Sequence, residues 1–157
     1  MRLALTLAAA TAAACGLALS GTAAPSACGP AQIGGATVRT WCGTAKATVT
    51  WAGKKMSLKG GQCSLEKVSG LALFAVNLGR YTVPRAKPKF KSFSAAGSDL
   101  KPGTYKYWLI NFQTPGKQWT LKPTTTNVTI TAPGAKKGTF SGKLYAGGKL
   151  AKGSWSC

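Results

Sequence analysis

Ser64 and Lys67 match the spacing of a known nucleophile motif, S-x-x-K. In penicillin-recognising enzymes this motif supplies the catalytic serine at a helix start, and it works together with S-D-N and K-T-G elements. Here Cys63 adjoins the motif and indicates a β-strand instead of a helix. A small hydrolase that uses Ser64 and Lys67 is therefore kept only as an alternative hypothesis.

General acid–base chemistry and metal binding have few candidate side chains. The 157-residue chain contains no His, and its only acidic side chains are Glu66 and Asp99. A hydrolase needs a general base with a pKa near its working pH, and a two-carboxylate glycosidase would use the whole supply. The cysteines form no C-x-x-C pair of the kind typical of zinc sites. We therefore predict a non-catalytic protein with no catalytic residues, no metal site and no cofactor.

Positive charge is the strongest chemical signal in the sequence. The chain has 21 Lys and Arg, which give a formal net charge of +19. All but four are Lys, a hydrated point charge that lacks the bidentate recognition of Arg. This pattern predicts diffuse binding to an anionic cell-wall polymer or lipid surface, without specific nucleic-acid readout. The alternative is a solvated surface with no ligand. The candidate anion-binding residues are Arg85, Lys87, Lys89, Lys91, Lys54 and Lys55.

An aromatic segment at residues 105–112 is the second signal. Alternation along a strand places Tyr105 and Tyr107 on one face and Trp108 on the other. The favoured interpretation is a central strand that is buried on both faces. The alternative is an aromatic face open to a partner or a sugar ring, with Tyr105, Tyr107 and Trp108 as the candidate residues.

The N-terminus has the features of a secretory signal peptide. Arg2 precedes an apolar run at residues 3–19, and small residues follow that run. We predict cleavage after Ala23, removal of residues 1–23 and a secreted or cell-surface location. The alternatives are an uncleaved membrane anchor and a lipoprotein that is lipid-anchored through Cys15.

Removal of the signal peptide leaves four cysteines. An even number of cysteines in an exported chain indicates two disulfides. Three pairings are possible, and we favour Cys28–Cys42 and Cys63–Cys157. The second of these would join the final residue to the first half of the chain and close a loop of more than ninety residues.

The mature chain has an apolar period of two, which is typical of strands. Residues 44–51 alternate, and further strands are predicted at 105–112, at 127–131, at 139–145 and at the C-terminus. Gly and Pro turn signals separate them. The face predicted to be buried in the first of these strands comprises Ala45, Ala47, Val49 and Trp51. These patterns predict an all-β fold, an antiparallel β-sandwich or small barrel with two disulfides.

The remaining segments complete a single-domain prediction. Residues 71–78 are apolar almost throughout and predict a central strand covered on both sides. Residues 80–101 predict a surface loop with one short strand near 90–93. We assign 24–35 to a short N-terminal linker and 36–157 to the β-sandwich domain.

Five short, turn-rich motifs give the chain a family resemblance. They are Gly60-Gly-Gln-Cys63, Ala75-Val-Asn-Leu-Gly79, Gly138-Thr-Phe-Ser-Gly142, Gly147-Gly-Lys149 and Gly153-Ser-Trp-Ser-Cys157. With these motifs the chain resembles small exported β-sandwich proteins of actinobacteria, in the broad style of the mycobacterial LpqH lipoprotein antigens. The resemblance implies a cell-envelope or secreted antigen-like protein with no established catalysis, and hence a structural or antigenic alternative with no specific ligand. Thr22 stands where the lipid-bearing Cys of that group is expected.

Overall fold

The structure, a computed structural model, describes residues 28–68, 70–83 and 86–157. The predicted signal segment, its cleavage position and Cys15 lie outside the described residues. The described chain forms twelve strands and two short 3-10 turns, at Pro123–Thr125 and Pro133–Ala135. The strands are β1 (Gly29–Ile33), β2 (Ala36–Thr40), β3 (Ala45–Trp51), β4 (Lys54–Val68), β5 (Leu71–Thr82), β6 (Ser92–Gly97), β7 (Gly103–Lys106), β8 (Leu109–Thr114), β9 (Lys117–Thr120), β10 (Asn127–Ala132), β11 (Lys137–Lys143) and β12 (Leu150–Ser156).

The strand pairing confirms the predicted antiparallel all-β class. Ten strands follow one another across a continuous sheet in the order β7-β10-β11-β12-β3-β4-β5-β6-β8-β9. The β1–β2 hairpin joins this sheet through β5. The sheet curls into a half-barrel, and a bridge between Leu121 and Leu144 connects the chain after β9 to the chain after β11. The two halves of one sheet therefore take the place of the two layers of a sandwich.

Aromatic side chains from the two halves meet in one core. Trp155 of β12 stacks on Trp108, with ring centroids 5.4 Å apart. Phe140 of β11 stacks on Phe93 of β6 at 5.5 Å. Each such pair adds about 0.5–1.5 kcal/mol beyond the burial of its area. Because these pairs join strands that are distant in the sheet order, they stabilise the curl.

Two inward-facing glycines make room for these rings. A Cβ on Gly153 would overlap the carbonyl oxygen of Thr48 and the ring of Phe140. A Cβ on Gly138 would lie 2.5 Å from the indole of Trp155. The alternation of glycine and aromatic residues in the C-terminal motifs therefore lets large rings lie directly over the backbone of the neighbouring strand.

The alternation predicted for residues 44–51 is confirmed in β3. All four residues assigned to the inner face are buried: Ala45, Ala47, Val49 and Trp51. The residues between them project from the outer face, which makes β3 a half-buried strand. This strand belongs to the face that carries the candidate site described below.

Two strand predictions are wrong, one because the sheet has a single layer and one because the chain breaks inside the segment. In β5, Phe74, Val76 and Leu78 are buried, whereas Leu71 is exposed, so the strand is covered on one side only. The segment 105–112 is not one strand. It belongs to β7 and β8, which are separated where Tyr107 adopts a positive φ of 66°. The chain thereby passes from one end of the sheet order to a position beside β6.

Two segments assigned to connections are strands. Residues 29–33 form β1, although the sequence places them in the linker 24–35. Within the predicted loop 80–101, β5 continues to Thr82, and the short strand predicted near 90–93 corresponds to β6, which runs from Ser92 to Gly97 between β5 and β8. The composition of β6 explains why the prediction placed this strand too early and too short, because Ser, Ala and Gly fill most of it and give a weak hydrophobic signal.

Both favoured disulfide pairings are confirmed. Cys28 pairs with Cys42 at a Cα–Cα distance of 5.4 Å, and Cys63 pairs with Cys157 at 5.9 Å. The second disulfide joins β4 to the residue that follows β12. Such bonds persist in oxidising compartments, so they indicate an extracellular or other oxidising environment.

Among the described residues, no helix has the length and apolar character needed to cross a bilayer.

Candidate functional site

The predicted anion-binding residues do not form one cluster in the sheet. Arg85 lies outside the described residues. Lys87, Lys89 and Lys91 are exposed in the connection between β5 and β6. The ammonium of Lys89 donates a 2.6 Å hydrogen bond to the carbonyl oxygen of Gly34, which ties this connection to the β1–β2 turn. Lys54 and Lys55 begin β4, on the other half of the sheet.

The predicted aromatic face does not form either. Trp108 is 1% exposed, and its indole N–H donates to Asp99 at 3.0 Å. Tyr105 packs against the core, and its hydroxyl donates to the carbonyl oxygen of Lys101. Of the three candidates only Tyr107 is open to solvent, at 69% exposure. Trp108 therefore belongs to the core and presents no surface to a ligand.

The S-x-x-K pair lies on a strand. Ser64 and Lys67 are three residues apart in β4, so their side chains point to opposite faces of the sheet. In the enzymes that use this motif the two residues share one face of a helix. In β4 the ammonium of Lys67 is therefore not placed to take a proton from the hydroxyl of Ser64.

A row of hydroxyl groups crosses the outer face of the half formed by β7, β10, β11, β12, β3 and β4. Strand register aligns one Thr or Ser from each strand. At about 4.8 Å between neighbouring strands, the row is about 24 Å long. We call these residues the hydroxyl row: Thr104, Thr129, Thr139, Ser154, Thr48 and Ser57.

In two pairs of neighbouring members of the hydroxyl row, the two residues are hydrogen-bonded to each other. The hydroxyl oxygens of Thr48 and Ser154 lie 3.0 Å apart, and those of Thr104 and Thr129 lie 3.2 Å apart. Each hydroxyl can donate one hydrogen bond and accept two. Both pairs therefore keep acceptor capacity, and the six residues form a polar strip across the outer face of the sheet.

Exposed lysines flank the hydroxyl row on both sides. Each of them is two residues away from the row member on its own strand. Two residues along a strand span about 6.7 Å, so the backbone positions of the lysines on the two sides of the row are about 13 Å apart. We call them the flanking lysines: Lys55, Lys106 and Lys152 on one side, and Lys46, Lys59 and Lys137 on the other.

A repeated pattern, Lys-x-Thr/Ser-x-Thr/Ser, produces this arrangement on three adjacent strands. It begins at Lys137 in β11, at Lys152 in β12 and at Lys46 in β3. Because neighbouring strands are antiparallel, the lysine falls alternately on the two sides of the hydroxyl row. This outward pattern is the sequence signal from which the hydroxyl row and its lysines can be predicted. Our sequence prediction missed it because it grouped lysines that are close along the chain.

The chemistry of this face suits a ligand with repeated negative charges. Two shallow grooves of about 330 and 420 Å³ lie along the hydroxyl row. Of the two acidic residues, Asp99 lines a cavity together with Lys106, and Glu66 is nine residues from Ser57 along β4. The positive potential of the flanking lysines other than Lys106 is therefore not reduced by a neighbouring carboxylate.

Comparisons with protein-family models, with curated proteins and with solved structures find no match to this chain. The resemblance to the exported actinobacterial group stays a prediction.

Proposed function

We propose that this protein is an exported, non-catalytic component of the cell envelope that binds a linear anionic polymer along the hydroxyl row. One observation carries this proposal: strand register places exposed lysines on both sides of a continuous row of hydroxyls. The ammonium groups supply charge, and the hydroxyls supply hydrogen bonds to phosphate or carboxylate oxygens. An anionic lipid surface and a surface protein with no specific ligand are the competing functions.

Export is supported by the two disulfides and by the N-terminal sequence. The disulfides indicate an oxidising compartment, and residues 1–23 have the composition of a signal peptide. We place the mature protein outside the cell or at its surface, with lipid attachment at Cys15 as the alternative. The available polyanions there are wall polymers, lipid headgroups and extracellular DNA.

Binding by the flanking lysines has a characteristic salt dependence. Single exposed ion pairs contribute only about 0–1 kcal/mol each. Six ammonium groups on a densely charged polymer together release condensed counterions, and affinity should fall about 10³-fold between 50 and 200 mM salt. A steep salt dependence is therefore the expected sign of this mode of binding.

We expect replacement of all six flanking lysines by glutamine to weaken binding of linear polyphosphate about 100-fold or more at 50 mM salt, and to remove most of the salt dependence. Polygalacturonate and anionic vesicles serve as uronate and lipid probes in the same titration. The replaced residues are Lys46, Lys55, Lys59, Lys106, Lys137 and Lys152. All six are exposed, so we expect the variant to fold.

A charge-matched variant separates local binding from the effect of net charge. It loses six other exposed lysines: Lys67, Lys87, Lys91, Lys101, Lys117 and Lys149. Its affinity for polyphosphate should fall no more than about fivefold, the effect of a lower net charge alone. Equal losses in the two variants would contradict binding at the hydroxyl row. Failure of the unmodified protein to bind any polyanion would favour a surface protein without a ligand.

A further inference from the structure

A second cleft, without charged groups, lies on the outer face of the opposite half of the sheet. In a chain with a formal net charge of +19, none of the side chains that line it is charged. Its volume is about 160 Å³, which is below the roughly 300–1,000 Å³ typical of pockets for drug-sized ligands. We call it the amide cleft, and its lining includes Trp41, Asn77, Tyr81, Ser94, Asn111 and Gln118.

Strand register aligns the polar groups of the amide cleft. Asn77 of β5 is opposite Ser94 of β6, and Ser94 is opposite Asn111 of β8. Their neighbours along the strands, such as Phe93 and Ile110, point into the core. Alternation therefore directs the amides and the hydroxyl outward, about 4.8 Å apart from strand to strand.

Internal hydrogen bonds fix the orientation of two amides in the cleft. The hydroxyl of Thr120 donates to Oδ1 of Asn111 at 2.7 Å. Nε2 of Gln113 donates to Oε1 of Gln118 at 3.1 Å. Gln113 is itself buried and exchanges two 2.9 Å hydrogen bonds with the backbone of Thr82. Asn111 and Gln118 thus use their oxygens within the protein, which leaves both NH2 groups as oriented donors for a ligand.

Aromatic rings form the remaining wall of the amide cleft. The rings of Trp41 and Tyr81 meet edge to face, with centroids 6.1 Å apart. The backbone N–H of Trp41 donates to the carbonyl oxygen of Gly79, which attaches this wall to β5. The Tyr81 hydroxyl is protonated at neutral pH and can donate, and burial raises the pKa of this phenol further above its ordinary value. Both rings are half-buried and keep part of their surface open.

We propose that the amide cleft binds one neutral sugar ring of a glycan. A sugar ring has many hydroxyls and apolar C–H faces, which match the amide groups and the aromatic wall respectively. A purely apolar ligand would leave the oriented amides without partners, which is costly. The guanidinium of Arg39 lies over the Trp41 ring, 5.3 Å from its centroid, but none of the side chains that line the cleft is charged. This proposal does not depend on the hydroxyl row, which lies on the other half of the sheet.

We test this proposal by calorimetric titration with three neutral hexasaccharides: a β-linked glucan, an α-linked glucan and an N-acetylglucosamine oligomer. At least one should bind, with an affinity that stays the same within about twofold between 50 and 500 mM salt, since neutral ligands release no counterions. Trp41→Ala and Gln118→Ala should each weaken binding about tenfold, the effect of losing one good contact. Gln118 is exposed, so its replacement tests the cleft even if Trp41→Ala folds poorly.

Two controls make the result specific to the amide cleft. Tyr107→Ala removes another exposed aromatic ring and should leave sugar binding unchanged. The variant that lacks the flanking lysines should also bind the sugar like the unmodified protein, so failure here is distinguishable from failure of polyanion binding. Absence of binding to all three oligosaccharides would overturn the proposal. Unchanged binding in both cleft variants, or an equal loss in Tyr107→Ala, would overturn it as well.

Discussion

Replacing Cys63 and Cys157 together by serine is expected to lower the free energy of unfolding by about 4–5 kcal/mol. The disulfide spans a sequence separation of 94 residues, and closing so long a loop removes much conformational freedom from the unfolded chain. The chain-entropy model gives this figure as an upper value, because residual structure in the unfolded state reduces it. Guanidinium unfolding of the oxidised double variant and of the unmodified protein measures the difference.

The other disulfide provides a matched control. Cys28 and Cys42 are separated by only 14 residues, so the same model gives about 3 kcal/mol for their double replacement by serine. The segment closed by this disulfide contains only the β1–β2 hairpin, which joins the sheet through β5. A larger loss from the Cys28–Cys42 pair than from the Cys63–Cys157 pair would contradict the entropic account.

Trp155→Ala is expected to cost about 3–5 kcal/mol of stability, as for other buried aromatic side chains. The indole lies between Trp108 and Phe140, at centroid distances of 5.4 and 6.5 Å. Its N–H also donates to the carbonyl oxygen of Ala135 at 2.9 Å in a buried position. The substitution therefore opens a cavity where the two halves of the sheet meet and leaves a buried acceptor without its donor. Guanidinium unfolding measures the loss.

Two further variants separate these effects. Trp155→Phe keeps most of the ring but removes the donor to Ala135, so we expect a cost of about 1–3 kcal/mol. Leu150→Ala changes an exposed position of the same strand and should alter stability by no more than about 0.5 kcal/mol. If Trp155→Ala destabilised the protein no more than Leu150→Ala, the stacked rings would not be the contact that stabilises the curl.

The sequence predicts those parts of the fold that depend on local patterns. The alternation in β3 identifies its buried face, because a strand exposes every second residue. The sequence does not predict the curl of the sheet, because the curl depends on contacts between distant strands, such as Trp155 on Trp108. The break at Tyr107 was missed for a related reason, since tyrosine has no special preference for a positive φ.

The candidate site was only partly predictable. Charge alone indicates a polyanion, but the lysines that share a face come from five strands, and among them only Lys55 belongs to the predicted set. The amide cleft is even harder to predict from the sequence, because its residues come from five separate segments and form no motif. In both cases strand register decides which side chains meet, and register follows from the completed fold.

Chemical-shift mapping tests the proposed binding of a polyanion along the hydroxyl row most directly. Linear polyphosphate is titrated into the isotope-labelled, oxidised protein at low salt, and backbone amide shifts are recorded. We predict that the largest changes fall in β11, β12 and β3, around Thr139, Ser154 and Thr48, and that they disappear as salt approaches about 200 mM. Largest changes in residues 86–91, or small changes spread evenly over the surface, would contradict binding along the hydroxyl row.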